Sequence, residues 1–351
     1  MSTILKNSSL FAVKYRHIFS VTNTMKAKTI ILSKKFQGYP QETNFKIVEE
    51  SLPQLKDGEF LAQAEFLSVD PYIRVFMKAV GAPIIGEQVA KIIESKNSKY
   101  PLGEYVVGEF GWRTHTVASE KPGDFFNLPP RLVSFGDLPK SLALGALGMT
   151  GVTALYGLQL CEPAAGKTLV VSGAAGAVGT HVGQLAKLQG CKVVGITGSD
   201  AKGHRLVKEL DFDAFVNYKS EDFEKKLAEA TPQNIDCYFD NVGGDVSSAV
   251  LHRMNKFGHV VICGAISTYN DENTKAREVQ TPVKVNHLVM EGFSVTRWRN
   301  KWNKAIDDNL KLIQEGRLKY FETVTEGFEN TPDAFMKMLG GQNFGKAIVK
   351  V

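Results

Sequence analysis

Two textures of apolar and polar positions divide the chain. From Lys26 to about Leu132, short apolar runs are cut by glycine and proline: Thr29-Ile-Ile-Leu32, Phe45-Lys-Ile-Val48, Glu59-Phe-Leu-Ala-Gln-Ala-Glu-Phe-Leu67 and Tyr105-Val-Val-Gly-Glu-Phe110. Several alternate, which predicts a largely antiparallel β region. Val69-Asp70-Pro71-Tyr72-Ile73-Arg74 interrupts it. Asp70 suits a helix cap and Pro71 a first helical position, so Tyr72 is expected in a short helical turn. Near Leu138 the pattern changes to strands alternating with helices, the mark of a parallel sheet. Residues 141–161 carry no charge, but glycines at 145, 148, 151 and 157 with Thr150, Thr153 and Gln159 make a poor hydrocarbon span. A buried helix pair broken near Gly148 to Gly151 is predicted instead. Ala305 to Gln314 is expected to be helical, with Ile306, Leu310 and Ile313 on one face, and Ala347 to Val351 to be a last strand returning to the first region.

The strongest local pattern runs from Thr168 to Thr197: an apolar run, Gly173, Gly176 and Gly179 at spacing three, a helical stretch and a second apolar run. Strand, tight turn, helix and strand in that order hold a dinucleotide at the helix N-terminus. Gly173 lets the chain turn, Gly176 lets backbone approach a diphosphate, and Gly179 lets the helix lie close on the sheet. The N–H groups from Ala177 to Thr180 are expected to face the anion. At the tip of the second strand stand Thr197-Gly198-Ser199, followed by Lys202, where an NAD enzyme places an acid. A small turn plus a lysine favours a ribose phosphate, hence NADP. Asp200 has two readings, a cap for the next helix or a contact to a ribose diol. Further strands end at Phe215-Val-Asn-Tyr218, at Ile235-Asp-Cys-Tyr-Phe-Asp240 before Asn241-Val-Gly-Gly244, and at His259-Val-Val-Ile-Cys263 before Gly264-Ala-Ile266. Ser267 to Thr281, polar and mixed in charge, is expected to be a mobile loop over the site.

The length of 351 residues suggests two domains, and a net charge of +5 from 42 basic and 37 acidic residues contains no basic block of the nucleic-acid-binding kind. Cys161, Cys191, Cys237 and Cys263 form no Cys-x-x-Cys pair. The last three lie in apolar runs and are expected to be buried thiols of a reducing compartment. The seven histidines make no short metal-type pair with a cysteine, so no zinc site is expected, and no Gly-x-Ser-x-Gly elbow is present. Developing oxyanion charge must then be met by hydroxyls or backbone N–H groups, and Tyr72 and Tyr269 are the candidates. The first 24 residues hold Lys6, Lys14, Arg16 and His17 and no acid, with Ile4, Phe11, Tyr15 and Ile18 on one helical face. That stretch reads as disordered or transit-like, with Met25 an equal candidate for the start of the folded protein. A cytoplasmic location is expected, or a mitochondrial one if residues 1–24 act as a transit peptide.

Together the motifs resemble the zinc-independent medium-chain dehydrogenase/reductases, most closely their prostaglandin reductase (leukotriene hydroxydehydrogenase) branch. The carriers are Ser68-Val-Asp-Pro-Tyr-Ile-Arg74, Gly86-Glu-Gln-Val-Ala-Lys91, Gly176-Ala-Val-Gly179, Gly190-Cys-Lys-Val-Val-Gly195, Phe239-Asp-Asn-Val-Gly-Gly244, Cys263-Gly-Ala-Ile-Ser-Thr-Tyr-Asn270 and Gly341-Gln-Asn-Phe-Gly-Lys346. Zinc relatives have Gly-His-Glu where this chain has Gly86-Glu87-Gln88. The resemblance implies an α/β fold, a doubly wound Rossmann sheet (residues 141–314) beside a chaperonin-ten-like β-rich domain (residues 25–140 and 315–351), with NADP(H) between them and a homodimer. It places the diphosphate on Gly176, Ala177, Val178 and Gly179, and the adenosine phosphate at Lys202 and Tyr218. Asn241, Cys263, Gly264, Ala265, Ile266, Ser267, Thr268 and Tyr269 would line the cofactor. Phe293, Ser294 and Val295 would bind the carboxamide through backbone, and Asn343 would close the site. Thr296 and Val285 stand near the pocket where close relatives have tyrosines.

The implied activity is NADPH-dependent reduction of the carbon–carbon double bond of α,β-unsaturated ketones and aldehydes, such as oxo-prostaglandins and lipid-derived enals. The enolate oxygen would be met by Tyr269, a cofactor ribose hydroxyl or Tyr72. The alternatives are NADP-dependent oxidation of leukotriene-type hydroxyls, quinone reduction, or NADPH binding without catalysis.

Overall fold

The computed structural model describes residues 25–77, 79–271 and 279–351; the amino-terminal extension and residues 272–278 of the Ser267–Thr281 loop lie outside them. The chain opens with an antiparallel ribbon, β1 (Lys26–Leu32) and β2 (Phe45–Ser51). Then come β3 (Phe60–Ser68), the short helix α1 (Tyr72–Phe76), β4 (Gln88–Ser95), β5 (Tyr105–Gly108), β6 (His115–Ala118) and β7 (Arg131–Leu132). The two last strands, β14 (Glu322–Glu326) and β15 (Lys346–Lys350), close the same sheet, in the order β14-β15-β3-β4-β5-β7 with β6 on β3. The carboxy-terminal run therefore does return to the first region, antiparallel to β3 with Ile348 opposite Ser68.

Between these parts lies a parallel sheet of β8 (Thr168–Ser172), β9 (Lys192–Thr197), β10 (Ala214–Asn217), β11 (Ile235–Asp240), β12 (Met254–Ile262) and β13 (Val289–Gly292). Its order is β10-β9-β8-β11-β12-β13, so the chain reverses direction across the sheet between β8 and β11. Ligands of open α/β sheets sit outside the carboxyl ends at such a reversal. The strands are apolar on both faces because helices cover both. Leu169, Val171, Val193 and Phe239 pack with Val182 and Leu185 of α3 (Ala177–Leu188), whereas Val170, Val194, Ile196 and Tyr238 pack with Val246 and Val250 of α6 (Gly244–Leu251). The other helices are α2 (Met149–Gln159), α4 (Asp200–Leu210), α5 (Phe223–Ala230), α7 (Gln280–Val285), α8 (Trp302–Gln314) and α9 (Thr331–Leu339).

A shared apolar block joins the two sheets: Val89, Val107 and Phe126 pack with Leu144, Leu147, Val152, Tyr156, Trp302 and Ile306. The cleft described below opens beside it. The expected helix pair over residues 141–161 is corrected here. Its first limb, Lys140–Leu144, is a 3₁₀ turn and only the second is an α-helix. A side chain at Gly148 would meet the Ala143 carbonyl oxygen at 1.9 Å, so the chain folds back too tightly for a regular helix pair. Among the described residues no helix is long and apolar enough to cross a membrane.

Candidate active site

After β8 the chain turns at Gly173, which has φ +60°, and Gly176 caps α3. The Thr180 N–H already bonds the Gly176 carbonyl at 3.0 Å, so the expected anion-facing run is shortened to Ala177, Val178 and Gly179. A Cβ on Gly179 would lie 2.4 Å from the Gly173 oxygen and 2.7 Å from Ala174 Cα. The turn therefore exists only with glycine there, and it offers a diphosphate three N–H groups and the positive end of a helix.

At the tip of β9 it is Ser199, not Asp200, that caps α4, its hydroxyl accepting the Lys202 N–H. Asp200 instead accepts Asn217 Nδ2 at 3.0 Å. The Lys202 ammonium donates to the Gly341 carbonyl, and both burial and the nearby Lys219 ammonium lower its pKa. Lys219 Nζ also stands 5.9 Å from the centre of the Tyr218 ring. Two amines beside a half-exposed tyrosine form an anion-seeking corner. Lys219 was not foreseen, because a lysine after a strand has no signature of its own.

Asp240, at the end of β11, organises the opposite wall. Its Oδ1 accepts the Ser172 hydroxyl at 2.9 Å, the Tyr238 hydroxyl at 2.8 Å and the N–H groups of Val242 and Gly243 at 2.9 Å each. Asn241 donates its side-chain amide to the Ser172 carbonyl at 2.7 Å. The Cys263 N–H bonds the Asp240 carbonyl at 2.8 Å, and the Ser267 hydroxyl bonds the Val242 carbonyl at 2.6 Å. Cys263 corrects the expectation of a buried thiol: it is half-buried and opens into the cleft, its thiol pushed up to about 12 by burial and by Asp240. Cys191 and Cys237 are buried as expected, and Cys161 is buried too.

These walls enclose a cleft of about 890 Å³ running from Lys202 and Tyr218 to Tyr72 and Tyr269. It is lined by Gly176, Ala177, Val178, Gly179, Asn241, Cys263, Gly264, Ile266, Ser267, Phe293, Ser294, Val295 and Asn343. Ala265 and Thr268 do not line it; the Thr268 hydroxyl turns back to the Ala265 carbonyl at 2.9 Å. Thr296 and Val285 do not line it either. Thr296 holds its hydroxyl against Ser294 at 3.0 Å, and Val285 faces outward at the end of α7, because the chain between them crosses the sheet edge as β13.

Tyr72 sits in α1 as expected, yet Asp70 does not cap that helix. Its carboxylate takes the Ser68 hydroxyl and the Lys346 ammonium instead. The Tyr72 ring stacks on Phe125, centroids 4.8 Å apart and planes at 14°, and Phe76 meets Phe125 edge-on at 4.8 Å. Among the described residues the Tyr72 hydroxyl has no hydrogen-bond partner; burial, then the carboxylates of Asp70, Glu87 and Glu109, raise its pKa well above the usual value. The Tyr269 hydroxyl accepts the Ala265 N–H at 3.3 Å, leaving its own proton to donate. Asp70, Lys346, Phe125 and Phe126 also line this end, unforeseen as site residues because the fold brings them together from segments far apart in sequence.

A parallel sheet with its glycine turn at the carboxyl edge, facing a β-rich lobe across a cleft, defines a two-lobed oxidoreductase built to hold a dinucleotide. Residues 28–124 match the N-terminal domain of oxidoreductase family, and residues 177–310 match the zinc-binding dehydrogenase family. The chain is 49% identical over 333 residues to prostaglandin reductase 1 of Sus scrofa, covering 93% of this chain and 99% of that one. It is 33% identical to the NADPH-dependent curcumin reductase of Escherichia coli, over 92% and 96% of the two chains. The crystal structure of CurA from Vibrio vulnificus in complex with NADPH superimposes with a TM-score of 0.86 at 32% identity, over 92% of this chain and 99% of that one. The chain belongs to the zinc-independent medium-chain dehydrogenase/reductases, in their prostaglandin reductase branch. The described residues bring no three metal-ligating side chains together.

Proposed function

We propose that the protein reduces the carbon–carbon double bond of α,β-unsaturated ketones and aldehydes with NADPH. The observation that carries this reading is one continuous cleft, with a glycine turn and paired lysines at one end and, at the other, Tyr269 and a Tyr72 stacked in an aromatic wall. A related curcumin reductase and a related prostaglandin reductase bear names that fit it. When bound, the cofactor would supply a hydride to the β-carbon, and the α-carbon would take its proton from solvent.

The chain's own residues then do three things. Gly176 to Gly179 hold the diphosphate, Lys202, Lys219 and Tyr218 hold the ribose phosphate, and Asn241, Cys263, Gly264, Ile266, Ser267, Tyr269, Phe293 to Val295 and Asn343 frame the remainder. Tyr72 and Tyr269 present hydroxyl protons to the oxygen on which negative charge grows, a contact stronger in the transition state than in the ground state. The Tyr72–Phe125–Phe76 wall covers the apolar part of the substrate and excludes water. Both tyrosines have raised pKa values, so they remain donors at neutral pH.

We assign residues 25–140 and 315–351 to the substrate-side domain and residues 141–314 to the cofactor domain, and we place the protein in the cytoplasm. A homodimer is supported by the open edge at β13, where Val289, Val285 and Phe257 are 49%, 58% and 71% exposed. Light scattering behind gel filtration tests it, and a 38.6 kDa species would refute it.

The deciding experiment follows NADPH absorbance with an enal, an enone and a quinone, and identifies the products. A saturated aldehyde or ketone is expected. Consumption with the quinone alone, or an allylic alcohol as product, would refute the reading. Tyr72→Phe and Tyr269→Phe together should lower kcat on the order of 100-fold or more.

A further inference from the structure

The ion pair between Lys346 and Asp70 is buried at the floor of the cleft. Lys346 Nζ lies 2.9 Å from Asp70 Oδ1, with the two side chains 3% and 4% exposed. The same ammonium donates to the Val69 carbonyl at 2.8 Å, and the second oxygen of Asp70 takes the Ser68 hydroxyl. Lys346 thus grips the two residues that lead through Pro71 into Tyr72. One residue earlier, Gly345 pairs with Gly176, and its N–H bonds the Ala175 carbonyl at 2.8 Å. Gly345 has φ +71°, and a Cβ there would meet the Phe321 oxygen at 2.0 Å. The link is short and leaves no slack: glycine turn, Gly345, Lys346, Asp70, Tyr72.

Two charges withdrawn from water are costly unless paired, and hydrophobic replacement of such a pair often leaves stability unharmed. Stability alone therefore gives little reason for this pair. Its place does. It bridges a strand that touches the dinucleotide turn and the helix that carries a hydroxyl at the reacting end.

We propose that Lys346 and Asp70 are positioning residues that fix Tyr72 relative to the dinucleotide turn, so that cofactor binding at Gly176 also tightens the Val69–Ile73 segment. The pair acts through Tyr72 and leaves the affinity for the cofactor nearly untouched. The rate consequence rests on the reductase reading; the mechanical coupling does not.

The test compares wild type, Lys346→Met, the neutral double variant Asp70→Asn/Lys346→Met, and Lys346→Arg. Lys346→Met strands a buried carboxylate and should melt lower, whereas the double variant should regain most of the lost Tm. Its kcat with an enone should stay at least tenfold down, with the NADPH Kd from fluorescence titration within threefold of wild type. Amide hydrogen exchange supplies a readout independent of turnover. NADPH should slow exchange over both 173–180 and 69–73 in wild type, but over 173–180 alone in the double variant. Should the neutral variants not fold, Lys346→Arg keeps the charge while moving the nitrogen, and should lower kcat at least fivefold. A folded variant with kcat within twofold of wild type, or with 69–73 still protected by NADPH, would overturn the proposal. If no enone is turned over by wild type while the exchange pattern holds, the coupling stands and the reductase reading fails.

Discussion

The Ser172 hydroxyl donates to Asp240 Oδ1 at 2.9 Å and accepts the Asn241 N–H at 2.9 Å, tying the carboxyl ends of β8 and β11 together where the parallel sheet reverses. Strand ends in a parallel sheet are otherwise free to splay. Here a single hydroxyl and a single buried carboxylate fix both walls of the cofactor cleft. Ser172→Ala leaves a buried acceptor and a buried N–H short of a partner. A loss of about 1–3 kcal/mol in urea unfolding is expected, with weaker NADPH binding measured by fluorescence. Unchanged stability would show that water replaces the hydroxyl.

Glu87 adds a pH dependence. It is buried, and its pKa is pushed from 4.5 up to about 7 by burial, opposed by Arg131 and Lys346 and reinforced by Asp70 and Glu109. A folded-state value above the unfolded one means that its contribution is fully present below about pH 4.5 and is lost as the pH rises through 7. Above that pH a carboxylate is held where a neutral acid is favoured. Glu87→Gln mimics the neutral acid, so its stability relative to wild type should rise by as much as about 3 kcal/mol between pH 4.5 and pH 8.5. Denaturant titrations at the two pH values check it; equal offsets would rule it out.

Phe76 is 56% exposed at the rim of the cleft, an unusual place for a phenyl ring unless it covers something. Its edge-on contact with Phe125 extends the Tyr72 wall outward. Phe76→Ala should raise KM for an enal with a long apolar tail roughly three- to tenfold while leaving that of a three-carbon enal unchanged, since only the tail reaches the rim. Equal effects on both would place the ring's role elsewhere.

Lys202 is the side chain proposed to select the phosphorylated dinucleotide. Its ammonium reaches the Gly341 carbonyl but shares its corner with Lys219, and an incoming phosphate would satisfy both cations. Lys202→Ala should weaken NADPH binding about 10- to 100-fold, as expected for the loss of a charged hydrogen bond, and NADH binding less than threefold. Calorimetry with the two cofactors measures the difference.

What the sequence determined by itself is local and periodic. Gly173, Gly176 and Gly179 between two apolar runs mark the turn, where Gly173 takes φ +60° and a Cβ on Gly179 would strike the Gly173 oxygen. The change of texture near Leu138 likewise marks the passage to a parallel sheet, since strands covered on both faces must be apolar throughout. The absence of an acid at the tip of β9 pointed to NADP for a chemical reason that needs no coordinates.

Tertiary structure decided everything that depends on side chains meeting from distant places. Asp70 is a plausible helix cap in sequence, yet a lysine 276 positions away in the chain takes its carboxylate. Asp200 loses its cap role to Ser199, Thr180 is already in the helix ladder, and Thr296 and Val285 stand outside the cleft. A residue's type limits the bonds that it can make. Which of them it makes is settled by the partner that arrives, and a buried group must take whichever partner the fold delivers.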